Sequence, residues 1–260
     1  MKNYCFNGAK THLFNVAIVG ATGLVGRKVL SELERLSFPV KKIYLFASAK
    51  SDGKTLTFRD KPVTVSALDK NEIPSDIDFA FFCAGGKVSG DCALSFIKKG
   101  CVVIDNSSLF RLKDGVPLVV PGVNDRAAFS HKGLIANPNC STVQECAALK
   151  PLSDAFGIER VVVSTYQAVS GAGQKGILDL ARGKSSLPPE KFDKPIFNDC
   201  LPKIDDFTSS GYTKEELKII CETRKILGLK DLRITATAVR VPLLNCHSES
   251  LNVELKSPYD

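Results

Sequence analysis

A glycine-rich turn between an apolar run and a helical pattern constrains this fold more than any other feature. The apolar run Val16–Val19 is followed by glycines at positions 20, 23 and 26, and the helical pattern begins at Val25. Glycine lets the backbone turn tightly, and the exposed amides at a helix start attract phosphate groups. The spacing G-x-x-G-x-x-G in this context predicts a dinucleotide site. An ordinary turn between a strand and a helix is the alternative.

Short β-rich runs alternate with helical or loop stretches through the first half of the chain. The later runs lie at Lys42–Phe46, Val63–Val65, Asp78–Cys83 and Cys101–Asp105, and a helix is predicted over Val25–Leu36. Such alternation is typical of a parallel sheet covered by helices on both faces. The sequence therefore predicts an α/β fold, with a Rossmann-like domain over residues 15–141 after an extension at residues 1–14.

The second half of the chain has a different pattern. Its β-rich runs are Arg160–Ala168, Leu232–Val241 and Ser248–Leu255, and a polar, proline-containing segment covers residues 183–203. One helix is clearly bounded, because Thr213 and Glu216 form a capping box and Gly228 is a typical stop. This half predicts an α+β domain for catalysis and dimerisation over residues 142–260.

The charge balance suits a small anionic ligand. The chain has 35 Lys and Arg against 28 Asp and Glu, a net charge of +7. Nucleic acid is an alternative partner for a basic protein, but the basic residues are scattered and no nucleic-acid-binding motif is present. No apolar run reaches the roughly 20 residues that a membrane span needs. We therefore expect neither nucleic acid nor a membrane as partner.

The cysteine and histidine content indicates the compartment and argues against a metal. The count of nine cysteines is odd and no C-x-x-C pair occurs, so a reducing cytoplasm is the simplest compartment. Only three histidines are present, without metal-ligand spacing. We expect no metal site, and we expect every cysteine except Cys140 to be buried and inert.

The end of the second predicted strand indicates which dinucleotide is bound. An NAD site usually places an acidic residue about 20 residues beyond the glycines, to bond the ribose hydroxyls. Here the segment reads FASAKSDGK, with Ser48, Lys50 and Ser51 in that region. A lysine and two hydroxyls suit a 2′-phosphate, so NADP is predicted. The alternative is a solvated Lys50 with Asp52 on the ribose.

The segment IANPNCSTVQECAAL carries the strongest chemical signal. Pro138 ends a strand-like run and Cys140 falls where a helix begins, with Ser141 and Thr142 as capping candidates. A thiol at a helix start is stabilised as thiolate by the exposed amides and the helix dipole. Cys140 is therefore predicted to be a nucleophile. A buried, inert cysteine is the alternative.

Eight motifs in the same order resemble those of aspartate-semialdehyde dehydrogenases. They are GATGLVG, DNSSLFR, VPGVN, ANPNCST, VVVSTYQAVSGAG, GYTKEELK, ETRKI and VRVPLLNCHSES, and the similarity covers about Asn15 to Tyr259. The resemblance implies that a cysteine attacks aspartyl 4-phosphate to form a thioester, and that NADPH reduces the thioester to the semialdehyde. This reaction belongs to the biosynthesis of lysine through diaminopimelate and of threonine, methionine and isoleucine.

The resemblance also implies a role for individual residues. Cys140 is the nucleophile, His247 the acid/base and Gln167 the residue that orients the acyl intermediate. Arg240 binds the substrate carboxylate, Glu215 meets the substrate ammonium, Lys218 and Arg111 bind phosphate, and Asn139 lies beside the nucleophile. The implied NADP contacts are Gly20, Thr22, Gly23, Leu24, Val25, Lys50, Ser51, Ser170 and Gly171. The alternative is that Glu215 and Lys218 form an exposed ion pair within one helix.

The chain departs from the family pattern at two places. The segment 173–202 looks shorter than in relatives, which is expected to trim a loop near the dimer contact of a homodimer. The chain also stops at Asp260, where relatives continue, so it is expected to be truncated at its C-terminus. Two other functions stay open: a related acyl-phosphate or thioester reductase that lacks the ammonium-binding carboxylate, and a non-catalytic dinucleotide-binding or dimerising protein.

Overall fold

The computed structural model describes residues 12–259, which divide into two compact units. Unit 1 comprises residues up to Phe110 together with Lys132–Ala136, and unit 2 comprises Arg111–His131 and the chain from Asn137 onward. Most of the predicted extension at residues 1–14 lies outside the described residues. The predicted domain boundary after residue 141 stays a prediction.

Unit 1 is built on a mixed sheet that is mainly parallel. Its elements are β1 (Phe14–Val19), α1 (Leu24–Arg35), β2 (Val40–Ala47), β3 (Thr55–Phe58), β4 (Lys61–Ala67), β5 (Phe79–Phe82), α2 (Gly86–Ile97), β6 (Val102–Asp105) and β7 (Leu134–Ala136). Across the described part of this unit the strand order is β3-β4-β2-β1-β5-β6-β7. All neighbouring strands are parallel except β3 and β4. The predicted α/β fold is confirmed.

The central strands of this sheet are apolar because both faces are covered. Val16 and Ile18 of β1 have no exposed surface and pack with Leu45, Val65 and Leu30 in one core cluster. A parallel strand buried on both faces reads as a continuous apolar run, which is what the sequence shows at β1. The predicted run Val63–Val65 lies within β4, but the sequence missed its antiparallel partner β3 and helix α2, because short or weakly periodic segments carry little local signal.

Unit 2 places helices against one face of a smaller sheet. Its elements are α3 (Cys140–Phe156), β8 (Ile158–Gln167), α4 (Gly173–Lys184), α5 (Lys214–Leu227), β9 (Arg233–Arg240) and β10 (His247–Leu255). In the described residues the strand order is β10-β8-β9, with β8 antiparallel to β10 and parallel to β9. Leu149 of α3 and Ile219 of α5 pack on Val161 and Val163 of β8 in one core cluster. This arrangement confirms the predicted α+β domain.

The ends of α5 follow the sequence closely. Thr213 accepts a hydrogen bond from the Glu216 amide, the Glu216 carboxylate accepts one from the Thr213 amide, and Gly228 ends the helix with a left-handed backbone. The predicted capping box and stop are therefore confirmed. Helix α4 was missed, since residues 173–184 contain three glycines that weaken a helical pattern.

Two classes of feature are absent from residues 12–259. No helix there is long and apolar enough to cross a membrane. In the same residues no cluster of His, Cys, Asp and Glu side chains has the arrangement of a metal site.

Candidate active site

Three polar side chains lie in one row across the end of the unit 2 sheet. Gln167, the last residue of β8, is paired in register with Arg240 of β9 on one side and with His247 of β10 on the other. Residues directly opposite on neighbouring strands point to the same face. The sheet register therefore brings together three residues that the sequence places far apart.

The start of α3 adds the sulfur to this row. Cys140 is the first residue of the helix and is exposed, and its Sγ lies 3.2 Å from Nε2 of His247. The helix is capped by Asn139, whose side-chain oxygen accepts from the Ser141 amide at 2.9 Å. The prediction that Ser141 or Thr142 caps the helix is wrong, because both residues lie inside it and their buried hydroxyls have no hydrogen-bond partner.

The thiol of Cys140 is harder to ionise than the sequence predicts. Protein atoms around the sulfur desolvate it and raise its pKa, and the nearby Glu215 carboxylate adds to this effect. Arg240 and the amides at the helix start act in the opposite direction but are outweighed. The residue is reachable from solvent, but these surroundings oppose the predicted thiolate, so the anion needs a further group to stabilise it.

A backbone amide sets the orientation of the imidazole. The N–H of Ala168 donates to Nδ1 of His247 at 3.0 Å. Because Nδ1 accepts this bond, the proton of the neutral ring is on Nε2, the nitrogen that faces Cys140. Desolvation lowers the pKa of His247 and Arg240 adds to this, against an opposing backbone contact with Cys246. The ring is therefore a neutral donor that can stabilise the Cys140 thiolate.

Arg240 is a buried cation whose guanidinium has N–H groups without a hydrogen-bond acceptor. Its Nη1 donates to the Ala168 carbonyl at 2.8 Å and to Oε1 of Gln167 at 3.4 Å. The residue is only 5% exposed, and its Nε has no hydrogen-bond partner. A buried guanidinium with unused N–H groups is costly unless a ligand supplies the missing acceptor. A substrate carboxylate fits this need, because it can accept two parallel bonds.

A row of charged residues on α5 faces the same region. Oε1 of Glu215 accepts from Asn139 at 2.8 Å and from Gln167 at 3.3 Å, and Oε2 lies 3.2 Å from the Lys218 ammonium. Burial acts to raise the pKa of Glu215, but these donors outweigh it and hold the pKa below its usual value. The alternative of an exposed Glu215–Lys218 pair is therefore wrong, because Glu215 is buried.

Glu222 is a buried residue that the sequence reasoning missed. One carboxylate oxygen pairs with Arg111 Nη1 at 3.0 Å, and the other accepts the Asn139 amide at 2.6 Å. It therefore ties Arg111 to the residue that precedes Cys140. The spacing of Glu215, Lys218 and Glu222 on one helical face was the available signal. The phosphate role predicted for Arg111 stays a prediction, and its guanidinium is engaged with this carboxylate.

The glycine turn of unit 1 has the geometry of a phosphate cradle. Gly20 has a left-handed backbone (φ 88°), and a Cβ there would lie 2.9 Å from the Cys83 backbone. A Cβ at Gly26 would lie 2.2 Å from the Gly20 carbonyl oxygen, so both positions require glycine. Helix α1 begins at Leu24 after the N-cap Gly23, without a side-chain cap or an acidic first turn. Its first amides are therefore available to an anion, and Leu24 and Val25 beside them are exposed.

The segment after β2 lies beside this turn. The hydroxyls of Ser51 and Thr22 are 3.4 Å apart, and Lys50 is exposed. Asp52 accepts the Ala67 amide at 2.8 Å, so its carboxylate is engaged in holding the chain. These contacts place five residues that were predicted to bind the cofactor at one end of the unit 1 sheet: Thr22, Leu24, Val25, Lys50 and Ser51.

Comparisons with known proteins match both parts of the chain. A family model described as semialdehyde dehydrogenase, NAD binding domain, matches residues 15–131, and one described as semialdehyde dehydrogenase, dimerisation domain, matches residues 149–260. The aspartate-semialdehyde dehydrogenase of Aquifex aeolicus is 52% identical over 250 residues, 93% of this chain and 74% of the relative. The aspartate-semialdehyde dehydrogenase of Legionella pneumophila is 46% identical, and the match spans 94% of this chain and 72% of that relative.

The chain belongs to the aspartate-semialdehyde dehydrogenase family. Solved structures agree with this assignment. One is aspartate semialdehyde dehydrogenase II of Vibrio cholerae, solved in complex with ASA, which superposes on this chain with a TM-score of 0.92. The two are 44% identical, and the match spans 96% of this chain and 76% of the Vibrio chain. A probable aspartate-semialdehyde dehydrogenase of Pseudomonas aeruginosa gives a TM-score of 0.88 at 28% identity.

In this member of the family, the three predicted catalytic residues Cys140, Gln167 and His247 meet in unit 2. Gly171 lies there too, since a Cβ on it would be 2.8 Å from Nη1 of Arg240 and 3.4 Å from Nε2 of His247. Ser170 is next to it and bonds through its amide to the Leu244 carbonyl. The prediction that all other cysteines are buried is wrong, because Cys200 and Cys246 are exposed.

Proposed function

We propose that this protein catalyses the NADP-dependent interconversion of aspartyl 4-phosphate and aspartate 4-semialdehyde through a thioester on Cys140. The observation that carries the proposal is the 3.2 Å contact between Cys140 Sγ and His247 Nε2, beside a buried arginine with unused donors. A nucleophile within hydrogen-bond reach of an oriented imidazole is the arrangement that acyl transfer needs.

In the first step, Sγ attacks the acyl carbon of the substrate. The Cys140 thiol releases its proton to solvent, the C–S bond forms, the C–O bond to phosphate breaks, and the leaving phosphate takes up a proton from solvent. The neutral His247 donates from Nε2 to the thiolate, which offsets the raised pKa of Cys140. When bound, NADPH supplies the hydride that reduces the thioester carbon. The C–S bond then breaks and Cys140 returns to a thiolate that His247 again stabilises.

The charged residues around the sulfur fit the rest of the substrate. Arg240 receives the carboxylate, because its buried guanidinium has N–H groups without a protein acceptor. Glu215, which is buried and ionised, receives the ammonium. Lys218 receives the phosphate. Gln167 is held between Arg240 and Glu215 by hydrogen bonds, so it is fixed in place to orient the acyl group.

The reaction is tested in the reverse direction. With aspartate semialdehyde and NADP, we expect NADPH to form, followed by its absorbance, only when inorganic phosphate is present. Phosphate dependence reports the acyl transfer to phosphate, and a dehydrogenase that hydrolyses its thioester would not need phosphate. A protein that binds NADP but shows no turnover with phosphate would instead be a non-catalytic dinucleotide-binding protein.

NADP is proposed as the cofactor in preference to NAD. The glycine turn, the uncapped start of α1 and the Thr22–Ser51 contact fit the phosphates of a dinucleotide. Asp52 is engaged with the Ala67 amide, which leaves the exposed Lys50 as the charged side chain suited to a 2′-phosphate. A lysine is a good phosphate partner and a carboxylate a poor one.

Replacing Lys50 with alanine is expected to weaken NADP binding selectively. The KM for NADP should rise about tenfold, because a charge-assisted hydrogen bond to the 2′-phosphate is lost. The KM for NAD, which lacks this phosphate, should change less than twofold, about the ratio that steady-state kinetics resolves. Lys54→Ala is the matched control, since it removes a lysine from the same segment. Equal effects on both cofactors would contradict the assignment of Lys50.

A homodimer is proposed as the assembly. The second matching family model is a dimerisation domain, and it covers the whole unit 2 sheet. Helices α3 and α5 cover one face of that sheet. On the other face, Val162 and Ser164 of β8 are half-buried and Tyr166 is 44% exposed. This accessible sheet face suits contact with a second copy.

A further inference from the structure

The Lys218 ammonium is held between two carboxylates. Its Nζ lies 2.9 Å from Oδ2 of Asp205 and 3.2 Å from Oε2 of Glu215. These carboxylates raise the pKa of Lys218 despite desolvation, which acts the other way. The lysine is therefore fully charged, but the group of three residues carries a net negative charge.

This charge balance is unfavourable for a phosphate ligand. A phosphate oxygen needs to approach the ammonium to about 2.8 Å, and Asp205 Oδ2 already occupies one such position. A second carboxylate next to a phosphate dianion adds repulsion, which protein surroundings screen less than bulk water does. The third N–H of the ammonium stays open to phosphate, but we expect phosphate to bind Lys218 more tightly once one carboxylate has moved away.

Asp205 is the carboxylate that can move away from Lys218. Its side chain is 37% exposed, whereas that of Glu215 is 8% exposed. Glu215 also accepts hydrogen bonds from Asn139 and Gln167, which would be lost if it moved. Within the described residues, the Asp205 side chain bonds to Lys218 and otherwise only to the Asp206 amide, and solvent can replace the lysine.

We propose that Asp205 is an internal competitor for the anion position on Lys218 and thereby sets the affinity of this enzyme for phosphate. In the free protein the Asp205 carboxylate neutralises the lysine, and phosphate or the phosphoryl group of the acyl substrate displaces it. The inference rests on the proposed function, because it takes Lys218 as the phosphate-binding residue.

The test is Asp205→Asn, which keeps the shape and removes the charge. The KM for phosphate in the reverse reaction is expected to fall about threefold to tenfold. This range corresponds to losing the partly exposed Asp205–Lys218 ion pair and relieving the repulsion between Asp205 and phosphate. Asp206→Asn is the matched control: it removes the same charge one residue away, but its carboxylate pairs with Lys214 at 2.7 Å. Its KM for phosphate should stay within about twofold.

The outcomes separate the possible roles of Asp205. An increased KM for phosphate in Asp205→Asn would show that Asp205 holds Lys218 in position, and an increase in the KM for the semialdehyde would show that it binds the ammonium. Either result, or no change, overturns the proposal. In a Lys218→Met background the Asp205→Asn effect should vanish. If the wild-type protein shows no phosphate-dependent turnover, the proposed function fails, and calorimetric titration with phosphate then tests Asp205 separately.

Discussion

Replacing Cys140 with alanine is expected to abolish phosphate-dependent reduction of NADP, with a loss on the order of a thousandfold or more in kcat. The thioester cannot form without the sulfur, and no other side chain in the row of Gln167, Arg240 and His247 is a comparable nucleophile. The measurement is NADPH formation at saturating semialdehyde and phosphate. Thermal unfolding should change little, because Cys140 is exposed.

Two further measurements make the assignment of Cys140 specific. Cys200→Ala removes another exposed cysteine and should keep wild-type activity. The raised pKa of Cys140 means that the thiol is protonated through neutral pH, so inactivation by iodoacetamide should become faster as pH rises. Equal activity of the wild type and Cys140→Ala would remove the thioester from the mechanism. Fast, pH-independent alkylation would contradict the protonated thiol.

Adding one methyl group at position 171 is expected to lower kcat/KM about a hundredfold, the cost of displacing a reacting group by about 1 Å. In Gly171→Ala the new Cβ would lie 2.8 Å from Arg240 Nη1 and 3.4 Å from His247 Nε2. The first distance is too short for carbon against nitrogen. The guanidinium must move, and the imidazole that faces Cys140 is crowded.

Measuring the affinity for NADP distinguishes two roles of Gly171: leaving space for Arg240 and His247, or contacting the cofactor. The resemblance implies that Gly171 contacts NADP, in which case Gly171→Ala should mainly increase the dissociation constant for NADP. The structure instead predicts an increased KM for the semialdehyde and a lower kcat with NADP binding nearly unchanged. Gly86→Ala is the control, because its Cβ would meet its nearest neighbour at 3.5 Å, an ordinary contact. A loss confined to NADP binding would favour the sequence-based role.

Local features of the fold were predictable because they depend on residues close together in the chain. The capping box at Thr213, the stop at Gly228 and the glycine turn after β1 each follow from the preferences of a few neighbouring residues. Helix α3 likewise begins at Cys140, as the sequence predicts. The cap itself was assigned to the wrong residue, since Asn139 and Ser141 are both good caps and only the backbone path decides between them.

The partners of the catalytic residues were predictable only through the family resemblance. Nothing in the local sequence of His247 distinguishes it from a structural histidine. Its place beside Cys140 follows from the register that pairs it with Gln167, and register between distant strands depends on packing of the whole sheet. The same holds for Glu222 and Asp205, whose importance comes from contacts with residues on other elements.

The sequence by itself determined the α/β class of unit 1, the bounds of α5 and the helix start at Cys140, because patterns of apolar residues, caps and glycines act over short distances. Only the tertiary structure decided that burial raises the pKa of the Cys140 thiol, that Gly171 borders Arg240 and His247, and that Lys218 is shared by two carboxylates. These properties are sums of desolvation and charge from several elements. They exist only once folding has brought those elements within a few ångströms.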